Sequence, residues 1–187
     1  MVTDMKTLIL NGSPRFNGDT VSLIRQVTAN LAGEYYIVDA YRCQISACVD
    51  CRYCWSHLGC AIPDEMQELY RYLEECDNVL IASPVYFSEL TGKLLDLCSR
   101  LQMYFGASHM QKVKLLTKPK RGAVILVGGG LGSIDRASET AHMLLKQMKC
   151  TEIYPLVSSH DTDHVPAAED ADAVRGAQSV AGWFNRT

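Results

Sequence analysis

Residues 7–20, Thr7-Leu8-Ile9-Leu10-Asn11-Gly12-Ser13-Pro14-Arg15-Phe16-Asn17-Gly18-Asp19-Thr20, decide how the rest of the chain is read. A short apolar run stops in a small polar loop, and the loop leads into a segment of helical periodicity. That succession predicts a strand, a loop and a helix N-terminus. The first turn of a helix carries unpaired N–H groups at the positive end of its dipole, so the arrangement suits an anion. Ser13 and Thr20 offer hydroxyl groups and Arg15 a charged fork of donors. Gly12 and Gly18 let the backbone bend and approach an anion closely. The loop has neither G-x-x-x-x-G-K-S/T nor G-x-G-x-x-G, which argues against a nucleoside triphosphatase and a dinucleotide site. No cysteine lies between Met1 and Arg42, so a phosphatase loop built on a thiol nucleophile is excluded. A hydroxyl-rich loop for a terminal phosphomonoester remains, beside the plainer reading of a well-capped βα turn.

Outward from this stretch, strands and helices alternate. Lys6–Leu10, Tyr35–Val38, Asn78–Ala82, Gly122–Val127 and Glu152–Val157 read as strands, the buried ones as continuous apolar runs. Thr20–Leu31, Asp64–Cys76, Thr91–Tyr104, a segment carrying Ala137, Ala141, Leu144, Leu145 and Met148, and Ala167–Phe184 read as helices, with Pro166 where the last could begin. Ser108–Lys120 is basic, lacks periodicity and reads as a loop. The alternation predicts an α/β fold: a doubly wound, five-stranded parallel sheet of flavodoxin-like order 2-1-3-4-5 with helices on both faces. Ligands of such sheets bind at the carboxyl ends of the strands. Three loops leave strands on that side: Asn11–Thr20, Ser83–Ser88 and Gly128–Ser133.

The chain of 187 residues is expected to form one domain, residues 1–187, with a cysteine-rich loop at about 43–63. It is 48% hydrophobic and carries a formal net charge of -3, which gives no sign of nucleic-acid binding. No apolar run reaches the length of a membrane span, and Met1–Lys6 lacks the shape of a signal peptide, so a cytoplasmic location is expected. Eight cysteines in that compartment suggest metal or redox chemistry rather than structural disulfides.

Gly12-Ser13-Pro14-Arg15 with Gly18-Asp19-Thr20, followed by Ser83-Pro84-Val85-Tyr86-Phe87 and by Asp161-Thr162-Asp163-His164-Val165-Pro166, resembles the flavodoxin-like NAD(P)H-dependent FMN reductases and the related iron-sulfur flavoproteins. The resemblance covers nearly the whole chain. It implies that Ser13, Arg15, Asn17, Gly18, Asp19, Thr20 and Val21 hold the FMN phosphate. Most relatives have Asn where this chain has Asp19, and a carboxylate beside a phosphate is unfavourable unless only its backbone N–H is used. The resemblance also implies that Ser83, Pro84, Val85, Tyr86 and Phe87 line the isoalloxazine edge, where backbone N–H groups would stabilise reduced flavin. Gly128, Gly129 and Gly130 would pass close to the ring. Tyr86 and Phe87 as core aromatics, and the triple glycine as a plain turn, are the competing readings.

Cys48-x2-Cys51-x2-Cys54-x5-Cys60 is the second strong signal. Cysteines at this spacing do not share one helix face but can wrap one centre in an irregular loop, as in cubane iron–sulfur ligation. Zinc sites more often use two CxxC pairs with a longer spacer. The spacing resembles the compact motif of the iron-sulfur flavoproteins, which implies one [4Fe-4S] cluster; free redox thiols and zinc stay open. Trp55, His57 and Leu58 make the loop less polar than a linker, so it should pack on something, a dimer partner being the natural candidate. Cys43, Cys76, Cys98 and Cys150 lie in or beside regular elements and read as buried small hydrophobes. His57 reads as a surface histidine beside the alternative of a ligand in the cysteine loop, and His160 and His164 as solvated loop histidines beside the alternative of a substrate or nicotinamide contact; no Ser-His-Asp or HExxH arrangement supplies a catalytic side chain.

The function expected is an FMN-dependent oxidoreductase in which NAD(P)H reduces the flavin and a flavin, quinone or similar small acceptor takes the electrons. The alternative is an electron carrier that couples a [4Fe-4S] cluster to FMN and serves a ferredoxin-like protein. A ligand-binding flavodoxin-like module with zinc in the loop is the non-redox reading. A homodimer or higher homo-oligomer is expected by resemblance, with Cys48–Cys60 and Met103–Lys114 covering the flavin.

Overall fold

Alternate residues of the central strands face opposite layers of helices, and this period of two builds the whole arrangement. The computed structural model describes residues 4–130 and 132–186. Strands β1 (Lys6–Asn11), β2 (Glu34–Asp39), β3 (Asn78–Pro84) and β4 (Lys120–Val127) lie in the order β2-β1-β3-β4, all parallel. Strands β5 (Cys150–Ile153) and β6 (Val157–Ser159) both pair with β4, also in parallel. Leu8, Leu10, Val79, Ile81, Val124 and Leu126 point into one core. Helices α2 (Met66–Glu75), α3 (Gly92–Ser99), α4 (Gln102–His109) and α5 (Asp135–Gln147) cover that face. Ile9, Leu80, Ala123 and Ile125 point into the other, covered by α1 (Asp19–Thr28) and α6 (Ala171–Phe184). Both faces are dry, which is why the strands are continuous apolar runs.

The expected sheet order holds, with particular differences. The strand expected at Glu152–Val157 is two short ones. Pro155 sits in the gap and has no N–H for the ladder, so Tyr154 N–H bonds Gly122 O at 2.9 Å and pairing resumes at Val157. The helix expected at Thr91–Tyr104 is also two. Arg100 and Leu101 take tighter bonds, from their N–H groups to Leu97 O and Cys98 O, while the Tyr70 hydroxyl donates to Arg100 O at 2.8 Å. α4 then runs to His109, into the segment expected to be a loop. α1 ends at Thr28, short of Leu31, and α2 begins at Met66. The last helix starts at Ala171, not near Pro166, because the Asp170 carboxylate caps it by accepting from Asp172 and Ala173 N–H. Leu131, within the third expected loop, and Met1–Thr3, within the expected N-terminal segment, lie outside the described residues.

Candidate functional site

The carboxyl ends of β1, β3 and β4 open on one cleft of about 140 Å³. Ser13, Pro14, Arg15, Gly18, Asp19 and Thr20 form one wall, Pro84, Val85 and Tyr86 another, and Val127, Gly129, Thr162 and Asp163 the third. The three expected loops therefore meet, as the topology requires. Asn17, Val21, Ser83, Phe87, Gly128 and Gly130 do not line this cleft. Thr162 and Asp163 do, although the sequence marks their segment only by resemblance.

The first loop is shaped by its own polar groups. Asn11 Oδ1 accepts from Ser13 N at 2.9 Å, and Ser13 Oγ accepts from Arg15 N at 3.2 Å. Asn11 Nδ2 in turn donates to the Asp39 carboxylate at the end of β2. Gly18 caps α1 without a side-chain hydrogen bond, so the N–H groups of the first helical turn are left for a ligand. A Cβ on Gly12 would come within 2.8 Å of Ser83 Oγ and 3.0 Å of Thr91 Oγ1, so only glycine lets the loop approach the start of α3. Asp19 lines the cleft, but one of its carboxylate oxygens is engaged elsewhere: Oδ1 accepts from Ala167 N at 2.9 Å and ties α1 to the segment before α6. Asn17 turns outward and accepts from Arg25 Nη2 at 2.6 Å.

The second loop corrects an expectation. Pro84 has no N–H, Val85 N–H is spent on Val127 O at 2.8 Å, and Tyr86 N–H on Glu89 O at 2.9 Å. Among the residues expected to donate to a reduced flavin, Phe87 alone follows Pro84 with an N–H free of these backbone pairings. Phe87 and Ser88 hold φ of 54° and 62° at the centre of a tight turn closed by the Tyr86–Glu89 bridge. Non-glycine residues in this region cost of order 1 kcal/mol or more each, and such strain collects at functional sites. Phe87 is fully exposed and Tyr86 is 45% exposed, so neither is a core aromatic. Ser83 is wholly buried: its Oγ accepts from Thr91 N at 3.3 Å and donates to Pro84 O at 2.8 Å, a structural role.

The third loop is fixed to the segment before α6. Thr162 N–H donates to Gly128 O at 3.1 Å and Asp163 N–H to Gly129 O at 3.3 Å. A Cβ on Gly129 would stand 2.7 Å from Asp163 Oδ1, a contact the exposed Asp163 side chain can relieve by turning aside. Gly128 is buried and Gly130 exposed.

The cysteine loop folds over α2, α3 and α4 of its own chain. Cys48 N–H donates to Ser99 Oγ at 2.9 Å, and Gln111 Nε2 donates to Cys54 O and His57 O, both at 2.9 Å. Gln67 Nε2 holds Cys60 O and Ile62 O. Residues Tyr53–Trp55 form a short 3-10 turn against α4, where Gly106 makes room: a Cβ there would lie 2.8 Å from Cys54 O. Cys48, Cys51, Cys54 and Cys60, all free thiols, line one cavity with Arg100, Gln102 and Met103. The Cys54 thiol is pushed up, chiefly by burial, with backbone hydrogen bonding opposing and the nearby thiols of Cys60, Cys48 and Cys51 adding. Among the described residues, no three His, Cys, Asp or Glu side chains converge closely enough to hold a single metal ion. Cys76, Cys98 and Cys150 are buried, and burial pushes each thiol up to about 12; Cys43 is only half-buried.

A family model described as NADPH-dependent FMN reductase matches residues 5–163. The chain belongs to that family. Among its relatives, an iron-sulfur flavoprotein of Methanocaldococcus jannaschii is 27% identical over 127 residues, covering 66% of this FMN reductase-family chain and 62% of the relative. The match thus spans less than two thirds of that relative's length. An iron-sulfur flavoprotein of Methanosarcina thermophila is 24% identical over 187 residues, covering 95% of this chain and 92% of the relative. The structure of an NAD(P)H:quinone oxidoreductase from Methanothermobacter marburgensis superposes with a TM-score of 0.73 at 14% identity, covering 99% of this chain and 100% of that one, which establishes the shared fold. No helix among the described residues is long and apolar enough to cross a membrane.

Proposed function

We propose that this FMN reductase-family chain binds FMN in the cleft at the ends of β1, β3 and β4 and works as an NAD(P)H-dependent oxidoreductase. The observation that carries the reading is the convergence of the Ser13–Thr20 loop with Pro84–Tyr86 and Gly129 on one cleft. Family membership and the names of the relatives support it. Bound FMN would take a hydride from NAD(P)H and pass two electrons to a small acceptor such as a flavin or quinone. Ser13, Arg15 and the first turn of α1, with Thr20, would hold the phosphate; Asp19 contributes its backbone N–H while its carboxylate stays on Ala167. Pro84, Val85, Tyr86 and Gly129 would border the ring; the strained turn at Phe87, outside that lining but next to Tyr86, would bring its N–H to the edge that becomes anionic on reduction once FMN is bound. A cytoplasmic setting and a homodimer covering the flavin fit this reading.

Equilibrium titration with FMN and riboflavin tests it. FMN is expected to bind at least roughly tenfold more tightly than riboflavin, and Ser13→Ala or Arg15→Ala to remove most of that difference. Equal affinity for both flavins would overturn the phosphate loop.

A second reading is favoured by the four cysteines lining one cavity. Four free thiols lining one cavity, with the Asp50 carboxylate there exposed and facing Arg52, are the chemistry of an iron–sulfur site, and the names of the relatives agree. Cys48, Cys51, Cys54 and Cys60 would hold a [4Fe-4S] cluster supplying one-electron chemistry, for exchange with FMN and a ferredoxin-like protein. Iron and acid-labile sulfide near four each per chain in anaerobically purified protein, lost in Cys48→Ala, would support it; protein retaining FMN without iron would return the loop to a thiol role.

A further inference from the structure

Arg100 is 1% exposed and is among the largest fully buried side chains of the molecule. It stands at the break between α3 and α4 and lines the cysteine cavity. Nη1 donates to Asp64 Oδ2 at 2.7 Å and to Ser46 O at 2.9 Å; Nη2 donates to Asp64 Oδ1 at 3.2 Å and reaches Cys60 Sγ at 3.4 Å and Ile62 O at 3.5 Å. Nε is buried and has no acceptor among the described residues. A buried charged donor left without an acceptor is costly, so an acceptor is called for. The other charged residues lining this cavity, Asp50 and Arg52, are exposed and 3.5 Å from each other, so solvent screens them. Arg100 is therefore the buried cation beside the thiols.

We propose that Arg100 is a positioning residue for an iron–sulfur group held by Cys48, Cys51, Cys54 and Cys60: its fork fixes Cys60, its Nε–H donates to an inorganic sulfide, and its charge, balanced by Asp64, sets the potential at which that group takes up an electron. The proposal rests on the iron–sulfur reading. Hydrogen bonds to sulfur, burial and net charge are the levers a protein has on such potentials. Reduction adds one negative charge to the cavity, and a guanidinium in a dry site favours the more negative state. Asp64 opposes it: burial alone would raise its carboxyl, yet the Arg100 hydrogen bond and the Ser46 and Met66 N–H groups outweigh that and hold it below the usual carboxylate range, so it stays ionised. Loss of either partner should move the potential in opposite directions.

The test is a dithionite titration, monitored by electron paramagnetic resonance, of anaerobically purified wild type, Arg100→Gln and Asp64→Asn, with the FMN potential followed in the same samples. Arg100→Gln is expected to lower the iron–sulfur potential by at least 59 mV, a tenfold shift for one electron, and Asp64→Asn to raise it, while the FMN potential stays put. Arg100→Lys, which keeps charge but loses Nε, should fall between Gln and wild type. Iron bound with unchanged potentials, or both substitutions moving it the same way, would overturn the proposal. Should Arg100→Gln shed its iron, the potentials of Asp64→Asn and Arg100→Lys decide; loss of iron from all three with FMN retained would make Arg100 only a structural pin of the loop and also overturn it. Wild type without iron would instead remove the reading on which the proposal rests.

Discussion

At the scale of single residues, the cleft is shaped by side chains already committed elsewhere. Asp19 is awkward beside a phosphate when only the sequence is read, and the structure gives its carboxylate to Ala167 N–H. That contact joins residues far apart in sequence, so no local pattern could show it. Gly129 is visible in sequence as one of three glycines, but its contact with the Asp163 carboxylate is not, because that carboxylate comes from another loop. Asp170 gives a pH signature. Hydrogen bonds from Ala173 N–H first, then Ser159 Oγ and Asp172 N–H, hold its carboxyl below the usual range against partial burial. A folded-state value below the unfolded one means that stability is present above the unfolded pKa and lost as pH falls through the folded value. Asp170→Ala should cost about 1 kcal/mol near neutrality and much less in strong acid, read from urea melts at several pH values.

At the scale of elements, regular segments are legible in the sequence wherever one face is apolar, and irregular ones are not. The cysteine spacing announces a centre, yet nothing in Asp39–Pro63 shows that Gln67 on α2, Ser99 at the end of α3, Arg100 just after it and Gln111 just past α4 pin it down. Gly106, on α4, carries no sequence signal either; its role depends on Cys54 passing 2.8 Å from where a Cβ would stand. Gly106→Ala should push the loop off α4 at a cost of about 1–3 kcal/mol and lower iron content, with FMN binding intact. The turn at Phe87–Ser88 likewise lacks the glycine that would advertise two left-handed residues. Phe87→Gly keeps the N–H and suits that conformation, so the potential of bound FMN should hold. Phe87→Pro removes the N–H and forbids a positive φ, so the potential should fall by about 30 mV or more, tenfold for two electrons. Equal potentials in the two variants would deny the turn its role.

At the scale of the molecule, the parallel sheet and its order follow from strand–helix alternation because buried parallel strands must be apolar on both faces. The edge is less legible: Pro155 divides what reads as one strand, and the second half, β6, is the part whose Ser159 O accepts from Gly128 N–H at 2.9 Å and so steadies the third loop. The break at Arg100 similarly turns one expected helix into two and brings a buried cation to the cysteine cavity. The cleft at one end of the sheet and the cysteine cavity on the α2–α4 face thus share a frame through α3, whose start is tied to Gly12 O by Thr91 Oγ1 at 2.8 Å and whose end carries Ser99 and Arg100. The most direct measurement is an anaerobic titration of the FMN-loaded protein with NADH and with NADPH, following the visible flavin absorbance. Stoichiometric bleaching by at least one nucleotide, reversed by a quinone or free flavin, is the expected result; FMN that is not retained, or that stays oxidised with both nucleotides, would contradict the proposed oxidoreductase.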